Sequence, residues 1–184
     1  KLINDFLDFE SKLIIKKEEK TINIIEKEVA LSYKVNVGDV VFNLIGNVDR
    51  IDICEEQLRI IDYKTGNIKR DNLIFDDYSE LVNNYSKKEA FQLLMYTFLY
   101  LSNNPKELNK EVIAGNFSFK NLKDGLIKIS KKSIGVESTP LIINSNVLGQ
   151  FQNQVEKLLF DIMNKDFTHS QEDRLCDSCE YNKI

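Results

Sequence analysis

The chain is poor in the residues that interrupt a backbone. Two prolines and seven glycines among 184 residues exclude a long Pro- or Gly-rich linker, and no internal repeat or low-complexity tract is present. Three cysteines, Cys54, Cys176 and Cys179, make no even disulfide framework. That points to a reducing compartment, the cytoplasm, rather than to a secreted disulfide fold. No apolar run approaches the length of a bilayer and no signal-peptide pattern opens the chain, so no membrane partner is expected. Excess positive charge is lacking too. A net charge of −4 gives no global attraction to nucleic acid, so binding of that kind needs a local basic track and cations that neutralise an acidic site.

What is present is ordinary globular composition, 42% hydrophobic and 29% charged, in a length that suits a single domain over 1–184 with one core. Residues 166–184 form a cysteine-containing tail. A start at Lys1 rather than Met, and an end inside that tail, read as a piece excised from a longer protein.

Helical spacing over residues 2–19 predicts a first helix. Residues 22–36 read as a strand, Val37-Gly38-Asp39 as a turn, 40–54 as a second strand, and Glu55-Glu56-Gln57 as the turn into a third, 58–65. Residues 67–88, rich in Asn, Asp and Lys, read as an irregular, mobile surface connection. Ala90 to Leu101 is apolar almost all round and predicts a buried helix, stopped by Asn103-Asn104-Pro105. Residues 111–120 and 125–130 suggest a late hairpin. Residues 144–165 suggest an amphipathic helix with Leu148, Phe151, Val155, Leu158, Leu159 and Ile162 on its apolar face. The order predicts an α/β fold, a mixed sheet with helices packed on it.

The stretch Gly46 to Gly66, GNVDRIDICEEQLRIIDYKTG, carries the chemistry. On a strand, Asp62 and Lys64 point one way while Ile61 and Tyr63 point the other. Asp49, on the face of Ile51 and Ile53, can lean over the same pocket if the two strands pair. Two carboxylates and an ammonium in a half-buried site are costly unless they hold a cation or one another. Oxygen donors suit Mg²⁺ or Mn²⁺, with the backbone carbonyl of Tyr63 as a third oxygen beside Asp49 and Asp62. Lys64 would orient or deprotonate a water and stabilise a pentavalent phosphorus, which is phosphodiester hydrolysis. The plainer reading of an isolated D-x-K is a surface ion pair.

Gln92 and Tyr96 lie four apart on the buried helix and so share one face. A buried amide without partners costs about 1–3 kcal/mol, so Gln92 is expected at a polar pocket, of which the site's mouth is the candidate. Tyr96 can offer its hydroxyl to a phosphate or an acid. Glu28 can extend the acidic cluster, with Glu26 of the same parity as its competitor. Arg50 and Asp52 face away from Asp49 and read as a supporting ion pair. Lys69-Arg70, Lys87-Lys88, Lys120, Lys123, Lys128 and Lys131-Lys132 are candidate phosphate contacts.

The runs G-x-x-D-R-I-D, L-R-I-I-D-Y-K-T-G and Q-L-L-M-Y resemble the PD-(D/E)XK nuclease superfamily, and within it the RecB/AddB-type nuclease modules. The resemblance covers Glu28 to about Tyr100, and more weakly the tail around Cys176 and Cys179. It implies a restriction-endonuclease-like core and a divalent-metal-dependent DNA nuclease, exonuclease-type, in the recombination and repair work of a helicase–nuclease. DNA and a helicase region or subunit would be its partners. By position it makes Asp49 and Asp62 metal ligands, Lys64 the catalytic lysine, Gln92 and Tyr96 an accessory pair, and Glu28 the acid ahead of the first aspartate. Many relatives carry a metal-binding histidine on an N-terminal helix, whereas the one histidine here is His169. Some hold an iron–sulfur cluster on four cysteines, for which this sequence offers only two late positions, so no cluster is expected. A catalytically silent nuclease-like module that binds DNA or braces a partner is the rival reading.

Overall fold

Alternating β-branched and polar residues give the two longest strands, Ile22–Val37 (β1) and Val40–Cys54 (β2). They pair antiparallel from Ile22↔Cys54 to Val37↔Val40 and turn at Gly38, whose φ of 59° is a left-handed conformation that suits glycine. The computed structural model describes residues 1–15, 21–133 and 136–166. A helix at Leu2–Ile15 (α1) precedes the hairpin, and Gln57–Lys64 (β3) follows it. Next come Ile74–Phe75 (β4), a short helix at Glu80–Asn83 (α2) and the long helix Lys88–Asn103 (α3). Glu111–Ser118 (β5), Leu126–Lys128 (β6), Ser130–Ser133 (β7), Val136–Pro140 (β8) and the helix Ser145–Asn164 (α4) complete the order.

The main sheet has the order β1-β2-β3-β5-β6, and β4-β7-β8 form a second sheet. β5 runs parallel to β3, in register from Gln57↔Glu111 to Lys64↔Ser118. A parallel neighbour needs a crossover, and α3 supplies it. Its buried face, with Leu93, Leu94, Phe98, Leu99 and Leu101, packs with Leu58, Ile60, Val112 and Ala114 and with Phe151 of α4 in the larger core cluster. On the other side of the sheet Phe6 of α1 joins Ile61 and Phe117 in a smaller cluster. The α/β class, a mixed sheet flanked by helices, is what the sequence predicts.

The first helix is described over Leu2–Ile15, and residues 16–19 of the expected helix lie outside the described residues. Three expectations need correction. Residues 67–88 are not an irregular connection. Leu73, Phe75, Tyr78 and Leu81 there are buried in the main core, and β4 belongs to the second sheet. Those apolar residues are spaced among Asn, Asp and Lys with no single period, so neither a helix nor a strand pattern shows. The late hairpin does form as β5 and β6, but the chain then adds β7 and β8, a short, mostly polar pair without apolar alternation. In α4, Leu148, Phe151 and Val155 are buried and Leu159 packs partly buried against the same core, but Ile162 is 46% exposed, so the predicted apolar face packs as far as Leu159.

The hairpin changes face midway. Phe42, Leu44 and Val48 pack in the α3-side core, and Gly46 faces Tyr96 and Leu99 of α3, so even-numbered residues point that way. Beyond Asp49 the odd-numbered Ile51 and Ile53 do so, while Arg50 reaches α1. The change falls at Asp49 and, across the strand pair, at Glu28, whose φ of 50° is left-handed. A strained non-glycine inside a strand costs of order 1–3 kcal/mol and persists only where the surroundings fix it.

Candidate active site

The row Leu58, Ile60, Asp62, Lys64 on the central strand β3 begins in the core and ends at the strand's C-terminal end, where Asp62 is 4% exposed and Lys64 half-buried. The β2–β3 ladder stops at Arg50↔Ile61, and the next step would set Asp49 opposite Asp62. Instead of continuing the ladder, the Asp49 Oδ2 accepts a hydrogen bond from the backbone N–H of Tyr63 at 2.7 Å. A strand residue's N–H and C=O point to the same side, so the carbonyl of Tyr63 also points towards Asp49.

Lys64 Nζ lies 2.8 Å from Asp62 Oδ2 and donates to Gln92 Oε1 at 2.7 Å. Gln92 Nε2 in turn donates to the Tyr96 hydroxyl at 2.7 Å. Gln92 thus meets the polar site, as a half-buried amide must, and the four side chains form one chain from β3 to α3. Gly46 makes room for it: a Cβ there would stand 3.0 Å from the Tyr96 ring. Hydrogen bonds to a charged group contribute about 1.5–3 kcal/mol. Gln92→Ala is therefore expected to slow any reaction that depends on Lys64 by roughly 10- to 100-fold. Single-turnover rates check it, and a rate unchanged in a folded variant would show that α3 does not hold the lysine for chemistry.

Sequence reasoning missed Asn116. It lies on β5 beside Asp62 in the parallel register, is fully buried, and donates from Nδ2 to Asp62 Oδ2 at 2.8 Å and to the Asp62 carbonyl at 3.2 Å. The signal was available: after Glu111 at its start, Asn116 and Ser118 are the polar residues in an otherwise apolar strand. Burial pushes the Asp62 carboxyl up from its ordinary value and the charge of Asp49 adds to that, while Lys64 and Asn116 pull it down.

Glu28 lines a hollow of about 410 Å³ with Asp49, Arg50, Tyr63 and Phe119, so it stands beside Asp49, in a hollow that does not include Asp62 or Lys64. Glu26 does not share that hollow and acts electrostatically on Tyr100 instead. A second hollow, of about 370 Å³, has Lys64, Gln92 and Tyr96 on its wall with Lys88, Phe91 and Met95. Of the other basic candidates, Lys87 donates to the Asp71 carbonyl at 2.7 Å, Arg70 pairs with Asp124 at 3.9 Å and Lys131 lies over the Tyr78 ring. Lys69, Lys120, Lys123 and Lys132 are exposed, and Lys128 is half-buried.

Behind the site, on the α1 face, Arg50 donates to Asp52 at 2.6 Å, Glu10 at 2.7 Å and the Tyr63 hydroxyl at 3.0 Å. Arg59 donates to the two carboxylate oxygens of Asp52 at 2.6 and 3.0 Å. The Arg50–Asp52 pair expected from strand parity is therefore one part of a buried network. Burial works against the charge of Arg50, and Asp52, Tyr63 and Glu10 outweigh it and raise its pKa.

Among the described residues no group of three or more His, Cys, Asp and Glu side chains is arranged to hold a metal. The donor set is two carboxylates and a carbonyl, all hard oxygen. That fits Mg²⁺, which keeps several waters and takes one or two carboxylates. A cation there would also relieve the repulsion and desolvation that raise Asp62. His169, Cys176 and Cys179 lie outside the described residues. No helix among the described residues is long and apolar enough to cross a membrane.

No curated protein matches the chain. A solved structure named "Crystal structure of SSO0001" is similar at 18% identity and a TM-score of 0.43, over 97% of this chain and 64% of that one. The chain thus spans under two thirds of that structure's length. The model of the PD-(D/E)XK nuclease superfamily matches residues 5–184, a span that includes both site aspartates, the lysine between sheet and helix, and α3. Over nearly its whole length, then, this chain belongs to the PD-(D/E)XK nuclease superfamily.

Proposed function

We propose that the chain is a Mg²⁺- or Mn²⁺-dependent deoxyribonuclease of exonuclease type, acting in recombination and repair as the nuclease part of a cytoplasmic helicase–nuclease. Superfamily membership suggests nuclease activity and a nucleic-acid substrate. The observation that carries the finer reading is the chain Asp62–Lys64–Gln92–Tyr96 with Asp49 beside it. Asp49, Asp62 and the Tyr63 carbonyl would hold the cation. When bound, it supplies Lewis acidity at a phosphoryl oxygen and lowers the pKa of water.

The side chains do the rest. Lys64, fixed between Asp62 and Gln92, places an ammonium where the attacking water and the developing negative charge on phosphorus would lie. Gln92 keeps that ammonium aimed and Tyr96 orients Gln92. Glu28 adds a third carboxylate at the rim on the Asp49 side. Lys88, on the wall shared with Lys64, is the basic residue best placed to meet a neighbouring phosphate. Contacts of this kind read the backbone and not the bases, so cleavage should tolerate any sequence. The DNA and helicase partners follow from the resemblance of the G-x-x-D-R-I-D, D-Y-K-T-G and Q-x-x-x-Y motifs to helicase-linked modules.

Incubation with linear and covalently closed circular DNA of one sequence tests the activity. Linear DNA should be degraded from its ends with Mg²⁺ or Mn²⁺ and spared in EDTA, while the circle survives. Degradation of the circle at a similar rate would replace the exonuclease with an endonuclease.

A further inference from the structure

Asn116 is the buried polar group that the site's motifs do not account for. Its Nδ2 and the ammonium of Lys64 both engage one oxygen of Asp62, Oδ2, each at 2.8 Å. That clamp fixes the carboxylate's rotation and leaves Oδ1 as the oxygen to present to a cation. The amide's own orientation follows from the same contact, since an acceptor turned towards the carboxylate would be repelled. It leaves Asn116 Oδ1 buried with no hydrogen-bond partner. A buried acceptor of this kind is normally satisfied, if not by protein then by ordered water. Two positions along, the equally buried Ser118 donates to the carbonyl of Gly66 at 2.8 Å. The polar pair on β5 therefore has two different targets, a carboxylate at Asp62 and a loop backbone at Gly66.

We propose that Asn116 is a positioning residue for the cation site. It holds Asp62 in the rotamer that turns Oδ1 to the cation, and its own Oδ1 accepts a hydrogen bond from a water of that cation's hydration shell. The inference rests on Asp62 being a cation ligand. Partners of metal ligands typically account for about 10- to 100-fold in metal affinity, and the same range applies to Asn116.

The test is Mn²⁺ affinity, read by electron paramagnetic resonance of free Mn²⁺ on the whole chain without DNA, together with the melting temperature. Asn116→Leu keeps a branched side chain of similar size and removes both the donor and the unpartnered acceptor. Its Mn²⁺ affinity should fall about 10- to 100-fold, while Ser118→Ala, which also loses a buried hydrogen bond, should bind Mn²⁺ as the wild type does. A purely structural Asn116 would give the opposite pattern: both variants shift in melting temperature and neither shifts in affinity.

Asp62→Ala separates this inference from the reading it rests on. Lost affinity in Asp62→Ala with full affinity in Asn116→Leu overturns the role of Asn116 alone. Full affinity in Asp62→Ala overturns the cation site itself. If Asn116→Leu does not fold, the side-chain amide resonance of Asn116 in the wild type decides. It should move during a Mg²⁺ titration with the midpoint of cation binding, and a resonance that stays in place overturns the proposal.

Discussion

Lys64→Ala should lose about 10²–10⁴-fold in kcat/KM for metal-dependent cleavage, the range for a positioned proton-transfer or charge-stabilising group. That is about 3–5 kcal/mol of transition-state stabilisation. The size follows from placement. The ammonium is half-buried and held by two partners, Asp62 Oδ2 and Gln92 Oε1, so it reaches the transition state without reorganising. Lys64→Arg should not restore the rate, because a planar guanidinium cannot occupy the tetrahedral position between a carboxylate and an amide. Mn²⁺ binding should survive in Lys64→Ala, since the lysine is not a ligand and Asn116 still holds Asp62 Oδ2. Single-turnover cleavage at saturating Mn²⁺ and a direct Mn²⁺ titration check the two halves. A lysine that serves only as an ion pair would leave cleavage intact.

The largest effect on stability is expected from Asp52→Ala. Asp52 is fully buried between Arg50 and Arg59, each 3% exposed, and it accepts from both. Removing it leaves two buried guanidinium groups without the carboxylate between them. Breaking a buried pair in this way costs about 3–5 kcal/mol. For a domain of this size that lowers the melting temperature by roughly 6–20 °C. Added salt should not rescue the variant, because buried pairs are screened far less than surface ones. Calorimetry at low and high salt checks this, and a loss under 1 kcal/mol would mark the network as no stronger than a surface pair. The network also bonds the Tyr63 hydroxyl and Glu10 of α1. The back of the site is therefore braced by a helix that contributes no histidine among its described residues.

Much of this architecture is legible because the sequence obeys simple periods. The hairpin of β1 and β2, the short β3 and the apolar α3 each follow a period of two or of 3.6, and their limits fall within a few residues of those expected. The motif residues were legible for a different reason. Polar groups on apolar elements, such as Asp62 after Ile60 and Gln92 beside Leu93, must be satisfied by something, and here both are satisfied through Lys64. Cross-strand and cross-helix information was not legible. Nothing in the local pattern says that β5 runs parallel to β3, and only that register brings Asn116 to Asp62. The change of face at Asp49 and Glu28 was equally hidden, since it depends on a left-handed φ at a glutamate. Residues 67–88 failed for a third reason. Their buried side chains come from short pieces too brief to show a period, and their burial is decided by packing in the main core against α3 and α4.

The most direct measurement compares wild type and Asp62→Ala for degradation of linear single- and double-stranded DNA in Mg²⁺, Mn²⁺ or EDTA. A cation site at Asp62 requires metal-dependent degradation by the wild type and none by the folded variant, with Mn²⁺ binding lost alongside it. Degradation by Asp62→Ala at the wild-type rate, or a wild type that neither binds Mn²⁺ nor cleaves DNA, would contradict it.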